Sequence, residues 1–418
     1  MTDIELPPFR VDPRTQVLYR DGEIEKIPPR TVEVLLALLE RRGEIVTKRE
    51  LLARVWPDTV VEEGNLTVHV SLLRKTLGDA APIETIAKRG YRIPAPKAGA
   101  VETAGVREDL LRGRYFWNKL NRTALQSARQ CFERARAKDP KSSAASSGLA
   151  DTSLMAGLFG FETGRAPFDD GLRSAETANV LDPASFEACA SFGFASLFAR
   201  WDFDTALRAV DRARELAPDR AEPHLFRALV LVLRRRFIEA LASAQKARAI
   251  DPLSVTAGVG LGFHLYLSQQ HQPETEPLSS VLELEPDSAV AHWALGLAYD
   301  RLGRFAEAEA SHRRAIDLSG GSLTMESNLA RSLALAGRQA EAISLLGDLE
   351  ARGLAPYRIA TIEAALGRSD RALLALDRGV RERDPWMVWI HVDPMLDAVR
   401  GEAAFKEAAE RVRATPEG

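Results

Sequence analysis

Two clusters of basic and hydrogen-bonding side chains lie within the first hundred residues, and their chemistry suits a polyanionic partner. The first falls in the segment 65–77, NLTVHVSLLRKTL, where Val68, Ser71 and Lys75 share one face at helical spacing. The second is the run Lys88-Arg89-Gly90. Ammonium, guanidinium and hydroxyl groups donate hydrogen bonds to phosphate oxygens and to base edges. Both clusters are therefore candidates for contact with nucleic acid.

The distribution of charge supports this interpretation, although the total charge does not. The 418 residues include 56 basic and 59 acidic side chains, a formal net charge of −3, which neither indicates nor excludes nucleic acid. Residues 64–97 contain six basic and two acidic residues, a local +4, whereas residues 1–63 contain ten and thirteen, a local −3. The positive charge is concentrated where the two clusters lie.

Side chains suited to catalysis or metal binding form no recognisable pattern. The seven histidines and two cysteines match no zinc-site spacing, and neither a GxxxxGKS/T phosphate-binding loop nor a GxSxG nucleophile motif occurs. The glycine-rich run 258–262 lies inside a segment of helical pattern, so we interpret it as packing. We predict that the protein is not an enzyme and has no catalytic residue, metal or cofactor.

The sequence also predicts a cytoplasmic protein that has no membrane partner. The start, MTDIELPPFR, has neither the basic region nor the apolar core of a signal peptide. No stretch approaches the ~20 uninterrupted apolar residues that span a bilayer. Both cysteines, Cys131 and Cys189, lie in apolar helical stretches and are expected to be buried thiols.

Residues 1–96 have the pattern of a small α+β domain. Short strands are predicted at 9–12, 15–20 and 23–27, with a tight turn at Asp21-Gly22. A helix follows Pro28-Pro29, and the sequence TKRE at 47–50 is a capping box that starts a second helix over 48–55. A third helix is expected over 65–77, where Leu66, Val70, Leu73 and Leu77 form a core stripe at helical spacing. A hairpin over 83–93 follows, with Lys88, Arg89 and Gly90 at its tip.

This order of strands, three helices and a basic hairpin resembles the winged helix-turn-helix output domain of OmpR/PhoB-type response regulators. The resemblance covers about residues 9–94 and rests on the capping box before LLARVW, on TVHVSLLRKTLGD and on ETIAKRGYRI. It implies a third helix that enters the major groove of double-stranded DNA and a hairpin, the wing, that contacts phosphate. The implied DNA-binding residues are Lys48, Trp56, Asn65, Thr67, Val68, His69, Ser71, Arg74, Lys75, Thr85, Lys88, Arg89, Tyr91 and Arg92.

Several of these residues also have structural interpretations that the sequence leaves open. Lys48 is equally compatible with a solvated helix start, Trp56 with a cap on the core, and His69 with packing beside the core stripe. Gly64, Ser71 and Leu72 stand where relatives often carry arginine, which weakens the expectation of guanine recognition. The loop 57–64 engages RNA polymerase in some relatives. Asp58, Glu62 and Glu63 suit that role, or equally an ordinary solvated loop.

A repeat of 34 residues organises the rest of the chain. Pro218, Pro252 and Pro286 fall at this step, and each closes a helical run. After a linker at 97–106, residues 107–384 resemble an all-α superhelical solenoid of tetratricopeptide repeats (TPRs) with about seven to eight helix pairs. The extra length between Pro140 and Pro183 is assigned to the connection near 157–170. Residues 385–418 are expected to form a cap that covers the last repeat.

The repeats predict a surface for a peptide or protein partner. By register, the concave groove should be lined by first-helix residues, which the sequence also allows to pack between repeats. These residues are Leu225, Leu229, Val259, Phe263, Tyr266, Trp293, Leu297, Arg301 and Arg331.

The two halves together resemble the soluble, TPR-bearing branch of ToxR/CadC/HilA-like one-component regulators. That resemblance implies a sequence-specific DNA-binding transcriptional regulator that forms a homodimer on DNA and whose TPR domain senses a signal or binds a partner. The alternative is a TPR interaction scaffold whose winged helix binds protein instead of DNA, which the near-zero charge of residues 1–96 also suits.

Overall fold

The computed structural model divides into two compact units, Met1–Val101 and Glu102–Gly418. It describes residues 4–6, 9–13, 15–20, 23–57, 61, 63–77, 83–86, 89–93, 104–267 and 275–412. The predicted turn at 21–22, Lys88, Asp58, Glu62 and most of the predicted linker lie outside the described residues.

The amino-terminal unit is an α+β domain with two small antiparallel sheets. Its elements are β1 (Ile4–Leu6), β2 (Phe9–Asp12), β3 (Val17–Arg20), β4 (Glu23–Ile24), α1 (Pro29–Glu40), β5 (Val46–Thr47), α2 (Lys48–Val55), α3 (Glu63–Leu77), β6 (Glu84–Ile86) and β7 (Gly90–Arg92). Strands β1 to β4 form a meander, and β5, β7 and β6 form the second sheet in that order. The predicted helix over 48–55 is confirmed to the residue, and β1 and β5 are additions to the sequence prediction.

Helix α1 is the centre of this domain. Val32, Leu35, Leu36 and Leu39 form a buried stripe, and Leu38 on the other side of the helix is buried as well. Because β3 contacts one side of α1 while α2 and α3 contact another, the helix needs apolar side chains around most of its circumference. The buried faces of α2 and α3 therefore have a fixed support, which determines the outward face of α3.

The confirmed capping box sets where α2 begins. The Thr47 hydroxyl accepts a hydrogen bond from the Glu50 amide at 3.2 Å, and the Glu50 carboxylate accepts one from the Thr47 amide at 2.7 Å. Arg41 donates to the same carboxylate at 2.7 Å. The Thr47 hydroxyl also donates to the Glu50 carboxylate at 2.6 Å. This bond, followed by those from Arg41 and from the Thr47 amide, lowers the pKa of Glu50 to about 2.

The second unit consists of helices arranged as antiparallel pairs. Within the described residues from 104 to 382 there are eight pairs: α4 (Ala104–Trp117) with α5 (Arg122–Lys138), α6 (Ser143–Leu158) with α7 (Ala166–Leu181), α8 (Phe186–Arg200) with α9 (Phe203–Leu216), α10 (Ala221–Leu233) with α11 (Phe237–Ile250), α12 (Val255–Leu267) with α13 (Thr275–Leu284), α14 (Ala289–Arg301) with α15 (Phe305–Ser319), α16 (Leu323–Leu335) with α17 (Gln339–Ala351), and α18 (Pro356–Ala365) with α19 (Ser369–Glu382). Helix α4 begins within the range predicted as linker.

Small residues allow the two helices of several pairs to approach closely. A Cβ added at Gly296 of α14 would lie 2.5 Å from the His312 ring of α15, and one at Gly262 of α12 would lie 2.6 Å from Leu278 of α13. Serine caps begin several first helices, as at Ser288, whose hydroxyl accepts from the Ala291 amide. Helix α13 has only ten described residues.

Residues 384–399, here called the C-terminal segment, contain two 3-10 helices, Pro385–Trp389 and Pro394–Val399, and α20 (Ala403–Arg411) follows them. The Trp389 ring lies 5.5 Å from Phe263 of α12 and 6.4 Å from Phe198 of α8. The segment packs on the last pair, as a cap would, but it also reaches helices far earlier in the array. No helix in the described parts of the chain is long and apolar enough to cross a membrane.

Candidate nucleic-acid interface

Helix α3 presents two chemically distinct faces. Leu66, Val70, Leu73 and Leu77 are buried against α1 and α2, as the sequence predicts. The predicted DNA-contacting residues Asn65, Thr67, Val68, Ser71, Arg74 and Lys75 are all exposed. Val68 is an apolar side chain that is 65% exposed, and such a side chain suits contact with a thymine methyl group. The buried stripe therefore fixes the helix so that its polar and basic side points outward.

Arg74 does not extend freely from α3. Its Nε and Nη2 donate to the Ile83 carbonyl at 2.9 and 2.7 Å, and Nη2 also donates to the Thr85 hydroxyl at 2.7 Å. These bonds connect α3 to the strand β6 of the predicted wing. Sequence reasoning placed Arg74 and Thr85 separately on the interface, because spacing along the chain does not reveal a contact made in space.

The wing sheet contains two further predicted residues that are already engaged. Tyr91 is only 4% exposed, and its hydroxyl lies 3.5 Å from the Thr67 hydroxyl of α3. Arg92 donates to the Glu84 carboxylate at 2.6 and 2.9 Å. A buried Tyr91 ring presents little surface to a partner, so its place is mainly within the domain core.

Gly90 permits the close crossing of β7 and β5. A Cβ at this position would lie 2.1 Å from the Val46 carbonyl oxygen, which is far inside van der Waals contact. Gly90 therefore belongs to the strand pairing, where it lies opposite Thr47, and not to the tip at which the sequence placed it.

His69 and Trp56 pack together at the corner between α2 and α3. Their ring centroids are 5.3 Å apart, and Nδ1 of His69 lies 2.8 Å from the hydroxyl of Thr31 on α1. Burial lowers the pKa of His69, which favours the neutral imidazole. The structure therefore favours the packing role for His69, because both its ring and its Nδ1 atom have partners inside the domain.

Among the predicted DNA-binding cations that the structure describes, Lys75 and Arg89 have no such partner. Both are exposed, and neither forms an ion pair within 4.0 Å with another residue in the described part of the chain. Lys48, at the start of α2, is half-buried and already has an interaction within the protein. The polymerase-loop candidates Asp58 and Glu62 lie outside the described residues, and only the helical backbone of Glu63 is described.

The predicted TPR groove is largely covered. Leu225, Tyr266, Trp293 and Leu297 are each less than 9% exposed, so the expectation that they line an open surface is wrong for these four. Leu225 packs against Ala257 of the next repeat, and Trp293 lies against Phe159 and Phe263. Half-buried positions are Leu229, Val259, Phe263, Arg301 and Arg331.

The groove is covered because early and late repeats meet across the inner surface. The Ser322 hydroxyl donates to the Phe159 carbonyl at 2.6 Å, and Thr324 donates to the Leu158 carbonyl at 2.7 Å. The C-terminal segment fills the space beside them. Register within one repeat could not indicate that these positions are covered by other repeats.

The buried carboxylate of Asp300 has partners within the repeats. Asp300 accepts hydrogen bonds from Ser332 at 2.6 Å and from His312 at 3.1 Å, and Arg331 lies 3.5 Å away. No group of three or more His, Cys, Asp or Glu residues within the described residues is placed to hold a metal ion. Both cysteines are buried and free.

Comparison with known proteins gives two domain matches. Residues 22–93 match the family "Transcriptional regulatory protein, C terminal", and residues 196–255 and 278–322 match the tetratricopeptide repeat. The chain thus carries a domain of the OmpR/PhoB type followed by TPRs.

The similar curated proteins are regulators whose match lies in the amino-terminal part. Transcriptional regulator HilA of Salmonella typhimurium is 42% identical over 82 residues, which cover 19% of this chain and 15% of HilA. Transcriptional regulatory protein CutR of Streptomyces coelicolor is 31% identical over 99 residues, 22% of this chain and 46% of CutR. The DNA-binding domain of Escherichia coli CadC is a solved structure with 28% identity and a TM-score of 0.21, and the match covers 23% of this chain and 94% of that one. The chain therefore spans less than half the length of the two curated relatives.

Proposed function

We propose that this chain is a DNA-binding transcriptional regulator whose amino-terminal domain places α3 in the major groove and whose TPR domain receives a signal. The observation that carries the proposal is the two-sided α3, with its buried leucine and valine stripe and its exposed polar face that includes Lys75. A helix fixed in this way can present side chains to base edges. The matched domain family and the printed names of the relatives support the same function.

Within this proposal the exposed residues divide into two roles. Asn65, Thr67, Val68 and Ser71 contact base edges, while Lys75 and Arg89 neutralise phosphates. Arg74 and Thr85 act as positioning residues that fix the wing against α3. Trp56, His69 and Tyr91 support the helix from inside the domain.

The proposed function also implies partners for the full chain. The protein binds as a homodimer to paired half-sites in the cytoplasm, and residues of the loop 57–64 contact RNA polymerase. It needs no cofactor and catalyses no reaction. A peptide or protein partner of the TPRs would use the half-buried positions such as Val259 and Arg301, because the fully buried inner residues are inaccessible.

A titration of labelled genomic DNA fragments with the full-length protein, followed by fluorescence anisotropy at two salt concentrations, tests the proposal. Binding should weaken as salt rises, because each phosphate contact releases counterions. The double variant Lys75→Ala/Arg89→Ala should reduce the salt slope by about 2. Arg112→Ala, a 63% exposed site on α4, is the matched control and should leave the slope unchanged.

The alternative scaffold function predicts a different outcome. Because Arg74 and Arg92 are engaged within the domain, few cations remain for DNA, and the winged helix could instead dock on protein. Absence of DNA binding at low salt, or binding that does not respond to salt, would favour the scaffold and overturn the regulator proposal.

A further inference from the structure

A cleft of about 450 Å³ opens where early and late repeats meet. It lies between the α6–α7 connection, the start of α16, the α17–α18 connection and the end of α19. The α6–α7 connection brings backbone close to the opposite wall: a Cβ at Gly160, whose φ is +65°, would lie 2.7 Å from the Leu323 side chain. This volume falls in the range of small-molecule sites.

The floor of the cleft contains a buried cation that lacks an ionic partner. Arg358 of α18 is 2% exposed, and its guanidinium carbon lies 3.6 Å from the centroid of the Trp386 ring. Its Nε has no hydrogen-bond partner, and no carboxylate of the described residues lies within ion-pair distance of it. Burial lowers the pKa of Arg358. A desolvated cation without a paired anion is costly to maintain.

The two nearest carboxylates are occupied elsewhere. Asp384 accepts from the Tyr357 amide at 2.8 Å and from the Trp386 amide at 3.0 Å. Asp393 accepts from the Tyr357 hydroxyl at 2.8 Å and from the Met395 amide at 2.9 Å. Both acids therefore stabilise the C-terminal segment, and neither forms an ion pair with Arg358, which lines the cleft.

The rim of the cleft combines a second arginine with acidic groups. Arg378 of α19 has a buried Nε without a hydrogen-bond partner, and its ion pair with Glu382 is 3.9 Å long. Glu350 and Glu382 are exposed at the rim. A dianion such as phosphate would be repelled by these two carboxylates. A molecule with one carboxylate and one ammonium group instead complements both the arginines and the glutamates.

We propose that this cleft binds a small zwitterion of the size of a free amino acid, with its carboxylate on Arg358 and Arg378 and its ammonium group toward Glu350 and Glu382. The site identifies the class of signal for the sensing half of the proposed function and rests on it. A ligand there contacts elements from the second, seventh and eighth helix pairs, so it stabilises the closed arrangement that Ser322 and Thr324 maintain.

The test is thermal unfolding and calorimetric titration of the full-length protein with a pool of the standard amino acids, followed by single compounds. A ligand well above its dissociation constant should raise the unfolding midpoint by about 2–4 °C. Arg358→Gln should weaken binding by about tenfold or more. Arg358→Gln keeps a polar side chain but loses the stacking of the guanidinium on Trp386, so the unfolding midpoint of the unliganded variant is measured first. Should it not fold, Arg378→Gln at a half-buried site gives the same test.

Arg381→Gln provides the matched control, because Arg381 lies on the same helix, is 63% exposed and pairs with Asp377 outside the cleft. Its affinity should equal that of the wild type. The absence of a response to the pool would overturn the proposal, and so would unchanged affinity in both cleft variants or a stronger response to sodium phosphate. Each result is independent of DNA binding, which the anisotropy titration measures without ligand.

Discussion

The Arg74 guanidinium on α3 donates to the Thr85 hydroxyl on β6 at 2.7 Å and to the neighbouring Ile83 carbonyl. The recognition helix and the wing are thereby connected by a side chain that the family resemblance assigns to DNA. A cation whose Nε and Nη2 donors are used within the domain contributes through geometry, because it fixes where the other cations of the helix and hairpin lie.

Replacement of Arg74 by alanine should therefore lower the stability of the amino-terminal domain as well as its affinity for DNA. Loss of the hydrogen bonds to Ile83 and Thr85 should cost about 1 kcal/mol, measured by urea unfolding. Lys75→Ala at the next position should change stability by less than about 0.5 kcal/mol. Equal stability of the two variants would show that Arg74 has no positioning role.

Gly90→Ala should destabilise the domain more strongly. The new methyl group would lie 2.1 Å from the Val46 carbonyl, so β5 and β7 must separate, at a cost of about 1–3 kcal/mol. Gly64→Ala on α3 is the control, because nothing lies within 4 Å of a Cβ there. Unfolding midpoints in urea for both variants provide the comparison.

The charge on Glu50 should make a contribution to stability that depends on pH. Its pKa in the folded domain, about 2, lies below the ordinary value of 4.5. The stabilisation is therefore fully present above pH 4.5 and is lost as the pH falls toward 2. Glu50→Gln keeps a capping side chain but lacks the charge that faces Arg41. The difference in urea midpoint between wild type and variant should shrink over this range, and a constant difference would exclude the charge as its origin.

Local signals in the sequence predicted the elements better than their contacts. The capping box at Thr47 and Glu50 gave the start of α2, and the spacing of Leu66, Val70 and Leu73 gave the buried face of α3. These features depend on residues within one or two helical turns. Strand β1 was not predicted, because three residues provide too little alternation to identify a strand.

The contacts within the candidate nucleic-acid interface depend on distances in space that spacing along the sequence does not encode. The connection from Arg74 to Ile83 and the contact between His69 and Thr31 join residues on different elements. In the repeats, the positions that register assigned to the groove include Tyr266 and Leu297, which are buried. Register could not show that the repeats meet across the inner surface, because that depends on small rotations accumulated over many pairs.

The packing of Trp389 gives the last prediction. Its ring is 5% exposed and lies between Phe198 and Phe263, so it joins the C-terminal segment to the middle of the array. Trp389→Ala should leave a cavity there and lower the free energy of unfolding of the repeat domain by about 3–5 kcal/mol. Leu374→Ala on α19, at a site that is 68% exposed, should change it by less than about 0.5 kcal/mol. Urea unfolding followed by far-ultraviolet circular dichroism measures both, and a small effect at Trp389 would mean that the segment is peripheral to the core.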